Sequence, residues 1–547
     1  MSSTISRGRL WILLAVFAAG WFCNLGYRHL IRPDEGRYAE IPREMVASGD
    51  WLTPRLNGYK YFEKPALQYW ITAAAFSAFG QNEWAARLWP ALTGFLGVLL
   101  VFWAGKRLFA PPAGLCGAAV AASCALYVVV GHMLTLDMAL TFFMSASVFA
   151  FAVAQHDSGE SERRRWMLAA WAAAALAVMT KGLVGIVLPA GAVAAYVLLH
   201  RDWRLLSRLH LVQGASLFLA IAAPWFILVS LANPEFFRFF FIHEHFERFL
   251  TREHDRYQPF WYFIPVLLLG VLPWIVGLFP ALRLAWTRSA AAGFHTQRFL
   301  LLWCAVVLAF FSASNSKLVS YILPFFPALS LLVGNYLCSA PRRVLLAQAV
   351  LASLLGIAVA LASPQAVRFA SESLPSQLVE GYVPWIAAAG AFLAAAGILS
   401  AALAAGAKRL PAIISLAFGG ILFAQTLLWG HERLSPAFSA YHIVHKIRDQ
   451  LKPDAPFYMV DTFDHSLLFY LGRTVTMVGN KDELGQSIGW EPRTFLPDTA
   501  AFARAWQADR EAFAMFSVND LDGFLKAHPV PMQIVARDPR RVIVRKP

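Results

Sequence analysis

The residues best suited to chemistry cluster in a polar segment near the amino terminus, at residues 27–85. Asp34 and Glu35 are adjacent there, and Arg37 follows three residues after the aspartate. A neighbouring arginine can keep a carboxylate ionised, so that it serves as a base or binds a cation. The same residues could instead begin a helix over 35–47, which leaves a structural role for the Asp-Glu pair open.

Two further candidate sites follow along the chain. Glu63 and Lys64 precede an apolar stretch, 65–80, that predicts a helix lying along the membrane interface. Free backbone N–H groups at the start of that helix would help Lys64 to hold a phosphate, although a lysine that only reaches the headgroup level is the alternative. Asp137, in a short turn near His132, is either a second functional acid or a helix cap.

A second polar segment, 232–260, interleaves aromatic and basic residues. This pattern suits a lipid phosphate, with rings beside the acyl chain and guanidinium groups on the phosphate. His243 and Glu247 stand four residues apart and could bind a cation, but the full spacing of a zinc motif is missing, and an amphipathic helix without metal fits equally well. The candidates for binding phosphate in this segment and in a third turn are Arg248, Arg252, Arg256, Lys317 and Tyr321.

A membrane bundle must position these polar segments. The chain has 547 residues, of which 58% are hydrophobic and 15% charged, and its mean hydropathy is +0.53. This composition excludes a soluble globular protein and a disordered one. The net charge of +14 fits basic cytoplasmic loops of a membrane protein rather than nucleic-acid binding. The five cysteines lie in apolar stretches without zinc spacing, so we expect neither disulfides nor cysteine chemistry.

Apolar runs of about 17 to 25 residues predict thirteen transmembrane helices, with the first one uncleaved and the amino terminus in the cytoplasm. The predicted spans are 10–26, 86–105, 113–131, 137–155, 166–180, 183–199, 210–231, 261–281, 298–312, 318–338, 344–362, 383–405 and 411–430. In this topology every predicted cytoplasmic turn is basic, as the positive-inside rule requires. Counting 65–80 as a fourteenth span would put all of these turns on the opposite side.

The topology divides the chain into two domains. Residues 1–430 form the membrane domain, whose polar segments 27–85 and 232–260 lie outside the cytoplasm, and residues 431–547 form an extracytoplasmic domain. In the latter, strand-length apolar runs alternate with helical segments, which predicts a small α/β domain. The predicted strands are 456–460, 474–478, 512–516, 532–535 and 542–544. The cores of the predicted spans lack Asp, Glu, Lys and Arg, which disfavours an ion-coupled transporter.

Several of these motifs resemble the lipid A 4-amino-4-deoxy-L-arabinose transferases, the ArnT family. These are GT-C membrane glycosyltransferases related to the protein O-mannosyltransferases. The motifs that carry the resemblance are Arg32-Pro-Asp34-Glu35-Gly-Arg37-Tyr, Trp51-Leu-Thr-Pro-Arg-Leu-Asn-Gly, Phe62-Glu63-Lys64-Pro65, His243-Glu-His-Phe-Glu-Arg-Phe and Lys317-Leu-Val-Ser-Tyr321. The resemblance covers the whole chain and is weakest in 431–547, where only the position of the domain is similar.

The resemblance implies a GT-C fold in the bacterial inner membrane, with the active site and the C-terminal domain on the periplasmic side. It implies inverting transfer of 4-amino-4-deoxy-L-arabinose from undecaprenyl phosphate to a lipid A phosphate, which gives resistance to polymyxin and cationic antimicrobial peptides. By resemblance Asp34 is the catalytic acidic residue and Asp137 a second acid near the site. The resemblance assigns phosphate binding to Arg37 and Lys64, with Arg248, Arg252, Arg256, Lys317 and Tyr321 as further candidates.

No cofactor is clearly required by the resemblance. Glu63 and His243 could meet across the two polar segments around a divalent cation such as zinc.

Two other functions fit the same pattern. An enzyme like the protein O-mannosyltransferases would act on a hydroxyl acceptor, and Asp34 would then serve as the base. A polyprenyl-phosphate flippase or lipid-binding scaffold would explain the basic groups without catalysis. It would also need a polar pathway through the bundle, which the charge-free cores of the predicted spans disfavour.

Overall fold

The computed structural model describes residues 7–156, 159–247, 258–287, 293–491 and 494–547. It contains a helical bundle, a folded polar loop after the first helix, and a C-terminal domain built on a β-sheet.

The first polar loop has regular structure along much of its length. Its elements, with the helix that precedes it, are α1 Arg7–Phe22, α2 Asp34–Ser48, the two-stranded hairpin β1 Arg55–Leu56 and β2 Tyr59–Lys60, and α3 Leu67–Phe79. Asp34 and Glu35 occupy the first turn of α2, where negative charge is favourable to the helix dipole. The helix ends at Gly49, whose φ of 72° is a conformation that glycine adopts without steric cost. The predicted helix over 35–47 is therefore confirmed.

Fifteen further helices make up the rest of the described bundle. They are α4 Glu83–Leu108, α5 Pro111–Ser123, α6 Ala125–Gly131, α7 Asp137–His156, α8 Glu160–Lys181, α9 Val184–His200, α10 Arg204–Ser207, α11 Leu211–Ala232, α12 Phe263–Gly270, α13 Ile275–Thr287, α14 Thr296–Ala313, α15 Phe325–Leu337, α16 Arg342–Ala362, α17 Ser376–Ala405 and α18 Arg409–Gly430. A π-helix, Arg238–Glu247, lies in the second polar segment, and a 3-10 turn, His431–Leu434, follows α18. Small residues let the helices approach closely, since a Cβ on Gly105 of α4 would lie 2.5 Å from the Cα of Gly114 in α5.

Each predicted span coincides with a helix or with a bent pair of helices. Among the described residues, seven helices are long and apolar enough to cross a membrane, and the number rises to nine if each of two bent pairs is one span. Three predicted spans correspond to the shorter apolar helices Leu10–Phe22, Val184–His200 and Phe325–Leu337. Another corresponds to α8, which begins with a charged turn. The stretch 65–80 contains α3, whose 13 residues fall short of the roughly 20 that a span needs.

The C-terminal domain has a six-stranded mixed sheet in the order β5-β4-β3-β6-β8-β7. Its strands are β3 Phe457–Val460, β4 Thr476–Val478, β5 Phe495–Leu496, β6 Phe513–Ser517, β7 Gln533–Arg537 and β8 Arg541–Arg545. Its helices are α19 Ser435–Phe438, α20 Tyr441–Ile447, α21 His465–Leu471, α22 Gly485–Trp490, α23 Thr499–Ala508 and α24 Leu521–Ala527. The neighbours from β5 to β6 pair in parallel, whereas β8 pairs antiparallel with β6 and β7. All five predicted strands are present.

The C-terminal domain packs directly on the first polar loop. A Cβ on Gly36 of α2 would lie 2.4 Å from the backbone nitrogen of Ser466 in α21, so the two helices can touch only because residue 36 is glycine. Asn57 exchanges two hydrogen bonds with the backbone of Val475, at 2.8 and 3.0 Å. Apolar side chains of the loop and of the domain, such as Ile41 and Leu467, share one buried core. The C-terminal domain therefore holds the first polar loop in place.

Candidate active site

Asp34 is the accessible part of the site at the start of α2, and Arg37 lies beside it. The Asp34 side chain is 39% exposed, and its Oδ1 lies 3.5 Å from Nη1 of Arg37. Arg37 is buried, and its Nη2 lies 2.7 Å from Oε2 of Glu483 in the C-terminal domain. Since two carboxylates flank it, the guanidinium is held in place beside an acid that a ligand can reach.

Glu35, the neighbour of Asp34, points into the protein and has a structural role. Its two oxygens accept hydrogen bonds from Nε and Nη2 of Arg87 in α4, at 2.7 and 2.8 Å. The backbone N–H of Leu134 donates a third at 3.0 Å. Burial raises the pKa of Glu35, but the charge and hydrogen bonds of Arg87, together with the charge of Arg28, outweigh this and lower it to about 2. Glu35 thus anchors α2 to the bundle as a permanent anion.

Asp137 holds a lysine that our sequence interpretation missed. At the start of α7, one of its oxygens pairs with the ammonium of Lys181, and the other accepts a hydrogen bond of 2.7 Å from the hydroxyl of Ser320. The same ammonium lies 4.6 Å from the centre of the Tyr321 ring. Lys181 occupies the short turn between the predicted spans 166–180 and 183–199. In the predicted topology a lysine outside the cytoplasm is unusual there, and this signal could have revealed it.

A buried tyrosine connects the predicted acids. Burial raises the pKa of Tyr38 well above its ordinary value, and the carboxylates of Asp34, Glu63 and Asp137 add to this effect. All three predicted acids therefore lie within electrostatic reach of one side chain. Lys64, the lysine predicted to bind phosphate, lies beside one of these acids. Its Nζ is 3.9 Å from Oε2 of Glu63.

Two tyrosine hydroxyls at this site can still accept or donate hydrogen bonds. In the part of the chain that the structure describes, the buried hydroxyls of Tyr61 and Tyr69 have no hydrogen-bond partner. Both lie within electrostatic reach of Glu63 and Arg37. Because buried polar groups are nearly always hydrogen-bonded, such hydroxyls indicate a place for a polar ligand.

Other predicted residues have different surroundings. The ammonium of Lys317 donates to the carbonyl oxygens of Ser314 and, at 2.9 Å, of Gln258, so it ties its own turn to the second polar segment. The predicted His243–Glu247 pair assumed α-helical spacing, but this segment is a π-helix, and the side chain of Glu247 lies outside the described part.

The predicted binding of a divalent cation by Glu63 and His243 stays a prediction. The His243 ring packs against Phe239, with ring centres 5.4 Å apart. Its Nε2 lies 3.3 Å from Nε2 of Gln486 in the C-terminal domain. The remaining predicted residues, which are outside the described residues, are Arg248, Arg252 and Arg256.

Comparison with known proteins gives consistent matches at both ends of the chain. Residues 8–240 match the family model of dolichyl-phosphate-mannose-protein mannosyltransferase, and residues 443–546 match that of the aminoarabinose transferase C-terminal domain. The undecaprenyl phosphate-alpha-4-amino-4-deoxy-L-arabinose arabinosyl transferase of Edwardsiella ictaluri is 35% identical over 329 residues, which are 60% of this chain and 59% of that protein. A transferase of the same description from Proteus mirabilis is 36% identical over 62% of this chain and 61% of its own. The chain thus spans about three fifths of the length of these curated relatives.

Solved structures match over almost the whole length. ArnT from Cupriavidus metallidurans, bound to undecaprenyl phosphate, is 39% identical and superimposes with a TM-score of 0.93 over 99% of this chain and 98% of its own. The apo oligosaccharyltransferase of Archaeoglobus fulgidus is 13% identical, with a TM-score of 0.51 over 95% of this chain and 71% of its own, and shares the fold alone. The near-complete match to ArnT, at this identity and in both domains, shows that the chain belongs to the ArnT family of GT-C membrane glycosyltransferases.

Proposed function

We propose that this protein is an inverting glycosyltransferase that moves 4-amino-4-deoxy-L-arabinose from undecaprenyl phosphate to a phosphate of lipid A. The observation that carries the proposal is the accessible carboxylate of Asp34 beside cations that other carboxylates hold in place, in a chain of the ArnT family. The added sugar brings a positive charge to lipid A. The modified surface would attract polymyxin and cationic antimicrobial peptides less strongly.

The proposed reaction is a single displacement. An oxygen of the lipid A phosphate forms a bond to the anomeric carbon, the bond from that carbon to the oxygen of undecaprenyl phosphate breaks, and its electron pair leaves with that phosphate. Because a phosphate oxygen is already ionised near neutral pH, the acceptor needs no general base. Asp34 therefore orients the nucleophile or pairs with the 4-ammonium group of the donor.

The cations of the site neutralise the charge that develops on the leaving phosphate. Arg37 and Lys181 suit this task because Glu483 and Asp137 fix their positions. Lys64 is a third cation beside the predicted acids. In this proposal Asp137 acts by positioning Lys181. The remaining candidates for contact with phosphate or lipid are Arg248, Arg252, Arg256, Lys317 and Tyr321.

The membrane arrangement that we propose keeps the thirteen spans, with the amino terminus in the cytoplasm and the bacterial inner membrane as the location. Basic turns such as Arg163 to Arg165 then face the cytoplasm. Asp34, Asp137, Lys181 and the C-terminal domain all lie on the periplasmic side, where the donor and lipid A would meet.

A divalent cation between Glu63 and His243 fits the site only in part. Glu63 is a buried carboxylate, as a zinc ligand should be, but Lys64 lies 3.9 Å from it and competes for its charge. Two protein ligands are also fewer than zinc usually takes. No step of the proposed transfer is assigned to a cation there.

Transfer by purified protein tests the proposal. Wild type, Asp34→Asn and the control Asp202→Asn, which changes an acid in the turn between α9 and α10, would be incubated with the donor and lipid A in detergent. We expect sugar transfer by wild type and Asp202→Asn and its loss in Asp34→Asn. Near-normal turnover of Asp34→Asn would show that the site is misplaced.

The same assay, with an acceptor protein added beside lipid A, separates the two alternatives. Sugar transfer to a protein hydroxyl instead of lipid A would identify an enzyme like the protein O-mannosyltransferases, whose family model matches residues 8–240. An intact donor after incubation with folded wild type and both acceptors would favour a flippase or scaffold.

A further inference from the structure

Three potential metal ligands meet where the membrane bundle, the first polar loop and the C-terminal domain join. His29 follows α1, Glu432 lies in the 3-10 turn after α18, and His442 lies in α20. One ligand atom from each lies within 4.8 Å of the others. Among the described residues, this is the one group of three His, Cys, Asp or Glu side chains whose ligand atoms lie this close together.

The distances among the three side chains fit a shared cation. Nδ1 of His29 lies 2.6 Å and Nε2 of His442 lies 3.8 Å from the same carboxylate oxygen, Oε1 of Glu432. Zinc binds such atoms at roughly 2.0–2.2 Å in a tetrahedron, which places ligand atoms about 3.3 Å apart. The observed distances lie on either side of that value, so small side-chain rotations would suffice to enclose an ion.

The surroundings orient two of the three ligands. The backbone N–H of His29 donates to Oε2 of Glu432 at 2.9 Å and holds the carboxylate from the other side. The His29 ring stacks on Tyr441, with centres 3.6 Å apart.

We propose that His29, Glu432 and His442 bind one divalent transition-metal ion of the zinc class. Two imidazoles and one carboxylate form an accepted zinc ligand set, and the partial exposure of these side chains leaves room for water as a fourth ligand. The ion would tie the first polar loop to the end of the last membrane helix and to the C-terminal domain. The site shares no residue with the acids and cations around Asp34, and its role is to hold the loop that carries Asp34.

Metal counting on the full-length protein tests this proposal. Wild type, His442→Ala and the control His445→Ala would be stripped with a chelator, titrated with Zn²⁺ alone, and analysed for bound zinc and for apparent melting temperature. His445 is the matched control because it lies on the same helix and stacks on Tyr441, with centres 5.8 Å apart, outside the ligand group.

We expect wild type and His445→Ala to bind one equivalent of zinc that His442→Ala loses or binds at least about 100-fold more weakly. Zinc should raise the melting temperature of the first two proteins more than that of His442→Ala. Equal zinc content and equal shifts in all three would overturn the proposal.

A second measurement uses a protein that keeps all three ligands. The Glu63→Gln variant, which loses the predicted cation site of Glu63 and His243, would be loaded with zinc and studied by X-ray absorption. We expect two imidazole ligands around the zinc, and a shell without imidazole would contradict the assignment whatever the folding of His442→Ala.

Discussion

The ion pair between Glu35 and Arg87 should contribute several kcal/mol to stability. Both side chains are fully buried and share two hydrogen bonds. The pKa of Glu35 is about 2 rather than the ordinary 4.5, a difference that corresponds to about 3 kcal/mol in favour of the ionised folded protein. Removal of one partner from a buried pair costs a similar amount, about 3–5 kcal/mol. We predict that Glu35→Gln lowers the free energy of unfolding by about 3 kcal/mol at neutral pH.

Glu44 provides a matched control in the same helix. It is also buried, but burial and repulsion from Glu40 raise its pKa to about 8. The charged form of Glu44 is therefore disfavoured in the folded protein at neutral pH. Glu44→Gln should leave the free energy of unfolding unchanged or increase it, although the substitution is chemically the same.

The two carboxyls should also give opposite pH dependence. Glu35 contributes stability that is present above its ordinary pKa of 4.5 and is lost as the pH falls toward about 2. Glu44 lowers stability as the pH rises from 4.5 toward about 8. Equilibrium unfolding in mixed micelles across this range, with wild type and both variants, measures the two effects. Equal destabilisation by both variants, or a loss under about 1 kcal/mol for Glu35→Gln, would refute the reasoning.

Three further predictions concern the site and the C-terminal domain. Lys181→Met should lower kcat for sugar transfer by about 100-fold or more, because a fixed cation is lost. The control Lys526→Met, in the C-terminal domain, should leave kcat unchanged. Equal kcat values for the two variants in steady-state kinetics would show that Lys181 is only structural. Glu483→Gln should lower kcat for sugar transfer by about 10-fold, because Arg37 loses its anchor and stabilises the leaving phosphate less well. An unchanged kcat would contradict this. Asp464→Asn should cost about 2 kcal/mol, since nearby arginines outweigh the effect of burial and lower its pKa from 3.8 to about 2; thermal unfolding that matches wild type would exclude this contribution.

Local patterns in the sequence predicted the elements but not the long-range pairs. The predicted helix over 35–47 is found as Asp34–Ser48, with the acidic pair Asp34 and Glu35 in its first turn. In contrast, Arg87 and Lys181 are single charges at the ends of apolar runs in the sequence. Their partners, Glu35 and Asp137, are brought near only by the folded bundle.

Hydropathy also gave no signal for bends. The predicted spans 113–131 and 261–281 are each two helices, and the axes of the two helices differ by 65° and 110°, respectively. Both spans are nevertheless continuous apolar runs in the sequence. The break in the second lies at Pro273, which cannot continue a helix. The strand Phe495–Leu496 was missed because two residues are too few to show the alternation of a strand.

The most direct test of the proposed function is mass spectrometry of lipid A from a Gram-negative strain that makes the donor but lacks its own transferase. The strain would express either wild type or Asp34→Asn at matched levels. We predict that an aminopentose is added to lipid A with wild type and not with Asp34→Asn. Unmodified lipid A in cells with abundant, folded wild type would contradict the proposed acceptor.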